Sequence, residues 1–221
     1  MRNLSISASI LSADIGCLAK ESTAVLQAGA DSLHIDVMDN HFVPNLTFGP
    51  LVCKSLRDHL PKAFLDVHLM VRPVDHLIDA FAAAGADQIS FHPEASNDVI
   101  RNLKQIRHLG CRAGLAISPE TSLNCLDNKW EHLDFILMMS VNPGFAEQHF
   151  IPEVLNKISV AKQLLSSHNS RIRLGVDGGV KKNNITEIVK AGADTFILGS
   201  GIFNTEDYSL TLTELRSEFN K

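Results

Sequence analysis

Eight short apolar runs rich in β-branched residues recur along the chain, at residues 4–11, 32–38, 64–71, 88–92, 112–118, 135–141, 173–177 and 195–199. Between them lie stretches with helical spacing. These are 18–26, 74–83 with Leu77, Ile78 and Phe81 on one face, 99–109 with Leu103 and Ile106, 154–165 and 185–189. Strand and helix therefore alternate throughout, which predicts a parallel sheet. Ala-Gly-Ala-Asp stands at 28–31, 84–87 and 191–194, each time between a helical stretch and a strand. The glycine suits a left-handed helix stop, and its small neighbours let the helix end lie close to the sheet. Leu109-Gly110 does the same before the fifth strand. Eight such units in 221 residues predict a single (βα)8 TIM barrel over residues 1–221. A doubly wound open sheet competes, but it would often carry Gly-x-Gly-x-x-Gly after its first strand. Here Ser9-Ile10-Leu11-Ser12-Ala13-Asp14 follows, without glycine. No Pro/Gly/Ser-rich linker divides the chain.

Composition narrows the function classes. Apolar residues make up 45% and charged residues 20%, which excludes a disordered chain. The net charge of -5 argues against nucleic acid, which would call for a basic surplus. Lys181-Lys182 reads as a solvated helix start. No run approaches the ~20 apolar residues that span a bilayer. Met1, Arg2, Asn3, the serines at 5, 7 and 9 and then Asp14 interrupt any apolar signal core. Cys17, Cys53, Cys111 and Cys125 are widely spaced and read as reduced thiols, so a cytoplasmic protein is expected.

The chemistry of a barrel sits at the C-terminal ends of its strands, and here those ends are polar. Strand two reads His34-Ile35-Asp36-Val37-Met38-Asp39, strand three Asp66-Val67-His68-Leu69-Met70, and strand seven ends in Asp177-Gly178-Gly179. Alternation puts His34, Asp36 and Met38 on one face, and Asp66, His68 and Met70 on another. Ionisable groups pointing into a barrel are costly unless paired or metal-bound. A buried His–Asp hydrogen-bond network would account for one histidine. Four groups on three strands, His34, Asp36, His68 and Asp177, favour a divalent metal such as Zn, Mn, Fe or Co. Asp66 lies deeper and is expected to make a structural hydrogen bond, and Asp39 to cap the following loop. Met38, Met70 and Met139 are either core filling or a soft wall beside substrate. Asn142-Pro143-Gly144-Phe145, Asp177-Gly178-Gly179 and Gly199-Ser200-Gly201 follow strands six, seven and eight. Glycines there let backbone N–H groups approach an anion, and this is the usual phosphate end of the fold.

Taken together, these motifs resemble the ribulose-phosphate 3-epimerase family. The likeness runs from about residue 5 to about residue 204. It rests on residues 9–14, 34–45, 65–70, 139–145 and 176–179, above all on His-x-Asp-Val-Met-Asp-x-His-Phe-Val-Pro-Asn from His34 to Asn45. The resemblance implies a barrel of the ribulose-phosphate-binding type, acting in the pentose phosphate pathway. It implies one divalent metal per chain on His34, Asp36, His68 and Asp177, with Asp36 and Asp177 also the acid/base pair. Ser9, His68 and Asp177 would touch substrate. Gly144, Phe145, Ala146, Glu147, Gly178, Gly179, Gly199 and Ser200 would hold its phosphate, and Met38, Met70 and Met139 would form the apolar wall. Homo-oligomers, dimers or hexamers, are also implied.

The chemistry fits those residue types. Epimerising C3 of a 2-ketose removes a proton alpha to a carbonyl and returns one on the opposite face, which needs two groups across a flat enediolate. The chain departs from the family pattern at Ala8, usually proline, at Ala146-Glu147, usually Gly-Gly, and at Gly175, usually acidic. Glu147 is expected to point to solvent with the backbone donors intact. Were either replaced glycine left-handed, the cost would be ~1–2 kcal/mol. Rival readings are a 3-epimerase for another ketose phosphate such as D-allulose 6-phosphate, and a non-catalytic sugar-phosphate-binding barrel. Related decarboxylases carry a lysine in the third-strand motif Asp-x-Lys-x-x-Asp, and here His68 occupies the lysine's region. A Schiff-base aldolase needs a lysine inside a strand, whereas Lys20, Lys54, Lys104 and Lys157 fall elsewhere.

Overall fold

A computed structural model describes residues 4–168 and 171–219. Met1, Arg2 and Asn3, which opened the reading of the N-terminus, lie outside the described residues. Eight parallel strands run β1 (Ser5–Ser9), β2 (Ser32–Met38), β3 (Leu65–Met70), β4 (Gln88–Phe91), β5 (Arg112–Ile117), β6 (Phe135–Met139), β7 (Arg173–Asp177) and β8 (Thr195–Leu198). They pair in chain order and close when β8 pairs with β1. Outside them lie α1 (Leu18–Gln27), α2 (Pro50–His59), α3 (Asp75–Ala83), α4 (Val99–His108), α5 (Val154–Ser167), α6 (Ile185–Ala191), α7 (Ser200–Phe203) and α8 (Tyr208–Glu218). The expected (βα)8 barrel is therefore the observed fold. No helix among the described residues is long and apolar enough to cross a membrane.

Strand positions agree with the apolar runs, and the ends differ where side chains turn the backbone. The run through Val141 stops as a strand at Met139, because Ser140 bends into the loop. Its amide donates to Asp177 O at 2.7 Å and its hydroxyl to Gly178 O at 2.6 Å. The run through Leu11 stops at Ser9, where Ile10–Ser12 forms a 3-10 turn. Helices α2, α7 and α8 were not anticipated. In α2 only Cys53 and Leu56 are buried, while Leu51 is 85% exposed, so the apolar stripe is too thin to read.

Strand alternation separates two interiors. Ile6, Leu33, Ile35, Val37, Val67, Leu69, Ile89, Ile136, Val176 and Phe196 face the helices and join one continuous core. The other face points to the barrel axis and is divided. Ala116, Phe135, Leu137, Met139 and Ile197 from strands β5, β6 and β8 make an apolar cluster with Val141 of the loop after β6. Strands β1 to β4 instead contribute buried Ser7, Ser9, His34, Asp36, Asp66, His68, Gln88 and Ser90.

The Ala-Gly-Ala-Asp repeat has two functions. Gly29, Gly85 and Gly192 all have φ near +100° (113°, 96° and 110°), the left-handed helix stop that the pattern predicted. The aspartate that follows clips the neighbouring strand. Asp31 accepts from Ile6 N at 2.7 Å, Asp87 from Leu65 N at 2.8 Å and Asp194 from Leu174 N at 3.2 Å. Each carboxylate also meets an arginine, Arg216, Arg57 and Arg173 respectively. Strand-start N–H groups that lack a ladder partner are satisfied in this way.

Gly175 has a packing reason. A Cβ on it would lie 2.3 Å from Phe135 Cζ. The Phe135 ring fills the space that any side chain at 175 would need.

Candidate active site

Parallel register on β2 and β3 sets His34 beside Asp66 and Asp36 beside His68. Strand β7 brings Asp177 to the same level. His34 Nε2 lies 3.3 Å from Asp36 Oδ1 and 3.8 Å from Asp177 Oδ2. His68 Nδ1 lies 3.4 and 3.9 Å from the same two oxygens. One donor atom from each of the four residues lies within 4.8 Å of all the others. Both histidines are fully buried, and His34 Nε2 and His68 Nδ1 have no hydrogen-bond partner. Orphaned buried nitrogens are rare. Two of them, aimed at the same two carboxylates, fit a cation, and two imidazoles with two carboxylates suit a divalent transition ion. The four predicted ligands thus form one group that could hold a metal.

Surrounding residues fix each of the four. Asp66 Oδ2 bonds His34 Nδ1 at 2.7 Å, and Gln88 Nε2 donates to Asp66 Oδ1 at 2.8 Å. This is the structural bond expected of Asp66, and it turns Nε2 of His34 toward the group. Ser9 Oγ donates to Asp36 Oδ2 at 2.6 Å. Thr47 Oγ1 donates to Asp36 O and receives Met38 N–H, so the β2–α2 loop is pinned to the strand end. Asp39 caps that loop by accepting from the amides of His41, Phe42 and Arg72.

The two aspartates are held in different states. Burial works to raise Asp36, but the adjoining His34 and His68 reverse this and hold it well below the usual carboxylate range. Burial and the charge of Asp36 push Asp177 up to about 7. Burial likewise opposes charge on His34, and Asp36 and Asp66 outweigh it and raise its pKa. The two carboxylates thus differ in how readily they ionise.

Above the group opens a cleft of about 620 Å³, open solvent at its mouth included. Ser9, Met38, Met70, Met139, Gly144, Phe145, Ala146, Glu147, Asp177, Gly178, Gly179, Gly199 and Ser200 line it, as the motifs predicted, with Asp36 at its floor. His34 and His68 are brought to the group but lie beneath the cleft surface. Gly179 has φ +64°, and a Cβ there would sit 2.4 Å from Phe150 N, so only glycine fits. Lys181, expected as a solvated residue, is exposed but also borders the cleft, whereas Lys182 pairs with Glu214 at 2.9 Å. Glu147 is exposed as expected, yet its φ of +61° is left-handed, and its Oε1 accepts from Asn204 Nδ2 at 3.0 Å. The loop therefore keeps the turn that glycine would make.

Several contributors escaped the sequence reading. His92 Nε2 is 2.9 Å from His68 Nε2, and Ser118 Oγ is 3.2 Å from His92 Nδ1. Both residues closed predicted strand runs, which was the available signal. Asn45 Nδ2 donates to Gly144 O at 3.0 Å and ties the β2–α2 loop to the glycine loop after β6. Ser12 packs against Gly199, where a Cβ would lie 2.5 Å from its Oγ.

Such a centre places the chain among (βα)8 barrels that carry, at the C-terminal strand ends, a group that could hold a cation. Its relatives are more particular. The description of the ribulose-phosphate 3-epimerase family matches residues 5–203. The ribulose-phosphate 3-epimerase of Escherichia coli (strain K12) is 53% identical over 221 residues, covering 100% of this chain and 98% of that one. That of Buchnera aphidicola subsp. Schizaphis graminum (strain Sg) is 49% identical over 218 residues, covering 99% and 96%. Among solved structures, 3-keto-L-gulonate-6-phosphate decarboxylase from Vibrio cholerae O1 biovar El Tor str. N16961 superposes with a TM-score of 0.75 at 17% identity, covering 100% and 98%, a likeness of fold. The chain belongs to the ribulose-phosphate 3-epimerase family and is an isomerase acting on carbohydrates.

Proposed function

We propose that the chain interconverts D-ribulose 5-phosphate and D-xylulose 5-phosphate by moving the C3 proton between Asp36 and Asp177. The observation that carries this reading is that two carboxylates from β2 and β7, in opposite protonation tendencies, meet at the floor of one cleft. With the ketose in the cleft, one aspartate removes the C3 proton and leaves a planar cis-enediolate. The other returns a proton to the opposite face. Because substrate and product differ only at C3, the two residues exchange roles in the reverse direction. Ser9, whose hydroxyl holds Asp36 Oδ2, keeps that carboxylate aimed while it accepts the proton. The glycine loops at Gly144–Glu147, Gly178-Gly179 and Gly199-Ser200 offer backbone donors to the phosphate, so no lysine cluster is needed. Met38, Met70 and Met139 keep water from the enediolate. A divalent ion held by His34, Asp36, His68 and Asp177 would supply Lewis-acid stabilisation of the charge that develops on the sugar oxygens.

The test is isotopic. In deuterated water, xylulose 5-phosphate formed from ribulose 5-phosphate should carry deuterium at C3. Asp177→Asn should slow its formation ~10²–10⁴-fold. Undiminished turnover in that variant contradicts the role of Asp177. A faster reaction on D-allulose 6-phosphate than on the pentose would transfer the reading to a six-carbon substrate. Binding of the pentose phosphate without exchange would indicate a non-catalytic barrel.

A further inference from the structure

The two histidines of the centre are held by partners of different kinds. His34 turns Nε2 inward because a carboxylate, Asp66, takes its Nδ1. His68 turns Nδ1 inward, and its outer Nε2 meets no carboxylate but a second imidazole, His92 Nε2, at 2.9 Å. His92 is itself fully buried, and Ser118 Oγ lies 3.2 Å from its Nδ1. Also beside the ring are Phe42, tilted against it at 4.9 Å between centroids, and Glu94, whose Oε2 stands 4.0 Å from Nδ1.

We infer that His92 is a positioning residue whose acceptor nitrogen fixes the tautomer of His68, leaving Nδ1 of His68 bare for a divalent cation. The inference rests on the metal reading proposed above and concerns how this chain prepares for the ion. Two nitrogens facing each other at 2.9 Å share one hydrogen, so the pair runs in one of two directions. In the first, His68 Nε2–H donates to His92 Nε2, and His92 Nδ1–H donates to Ser118 Oγ. Every buried N–H then has a partner, and His68 Nδ1 is a lone pair. In the second, His92 donates to His68, and the His68 proton moves to Nδ1. That N–H would face the Asp36 and Asp177 carboxylates, 3.4 and 3.9 Å away, and would put a proton where the ion has to bind. Only the first direction leaves Nδ1 a lone pair, and it does so with every N–H of the pair bonded. The chain from Ser118 inward thus holds His68 in the form that accepts an ion, as Asp66 does for His34.

Three full-length proteins test this: the wild type, His92→Leu and His92→Gln, whose amide oxygen can still accept. Long-range nitrogen–proton NMR of the metal-free wild type should find His68 protonated at Nε2 and bare at Nδ1. Zinc affinity, read by competition with a chromophoric chelator, should fall ~10–100-fold in His92→Leu and recover most of that loss in His92→Gln. A His68 proton on Nδ1 overturns the inference whether or not the leucine variant folds. So does a folded His92→Leu that binds zinc as tightly as the wild type. A wild type that takes up no zinc sinks the metal reading, and this inference with it. Zinc bound equally by the wild type and the leucine variant sinks the inference alone.

Discussion

Replacing Gly175 by alanine should destabilise the barrel through one ring. Phe135 is 1% exposed and points to the barrel axis between two glycines. A Cβ on Gly175 would stand 2.3 Å from its Cζ and 2.8 Å from its Cε2, where ordinary contact begins at 3.4 Å. On its other side the ring lies close to Gly114, where an added Cβ would stand 3.3 Å from Phe135 Cδ1. The extra methyl must therefore shift strand β7 or force the ring off its rotamer, at about 1–3 kcal/mol. For a chain of this length that lowers Tm by ~2–4 °C per kcal/mol. Phe135→Leu, which shortens the ring's reach, should weaken the protein on its own but remove the clash. In a double-mutant cycle followed by thermal circular dichroism, Gly175→Ala and Phe135→Leu should couple favourably by ~0.5–3 kcal/mol. Additivity of the two losses would refute the wedge.

Further outcomes follow from the site and its rim. Asp66→Asn keeps an acceptor for His34 but removes its charge, and zinc affinity in chelator competition should fall ~10–100-fold; unchanged affinity would contradict the orienting role of Asp66. Restoring glycine at both Ala146 and Glu147 relieves the left-handed strain of ~1–2 kcal/mol, but it loses the Asn204 bond and loosens the unfolded chain by comparable amounts. Stability and the KM for the pentose phosphate should therefore change little, and a large fall in KM would mean that the Glu147 charge reaches the phosphate. With a chromogenic disulfide reagent at pH 8, exposed Cys17 should react first, because Cys53 and Cys111 are buried and burial pushes Cys53 and Cys125 up to about 11. Cys17→Ser should abolish that fast phase, and its persistence would refute the assignment.

The barrel was legible because parallel strands covered on both faces make dense apolar runs, and β2 and β7 read to the residue. The four-residue centre was legible because ionisable groups repeated at alternate positions on strands two and three have no cheap structural excuse. Helix α2 was hidden for the converse reason, since only Cys53 and Leu56 are buried and the polar face dominates. His92 was hidden because its meaning lies in a partner 24 residues away, on β3, and no local pattern marks a histidine that serves another histidine. The aspartates of the repeat looked like punctuation because the strand amides they accept from lie on neighbouring strands, β1, β3 and β7.

The divided interior gives the two aspartates their different characters. Asp36 rises from the polar half, with Ser9 on one oxygen and two imidazoles about 3.3–3.4 Å from the other. Its negative form is solvated by the protein. Asp177 stands on β7, flanked by the apolar cluster of Leu137, Met139 and Ile197, with the Asp36 charge facing it. Its negative form is the disfavoured one. Two identical side chains thus differ in proton affinity through the sequence of the strands around them. A cation between them would draw both toward the ionised form. In the proposed reaction each carboxylate both takes and gives the C3 proton, so a large difference in proton affinity would slow whichever transfer runs against it.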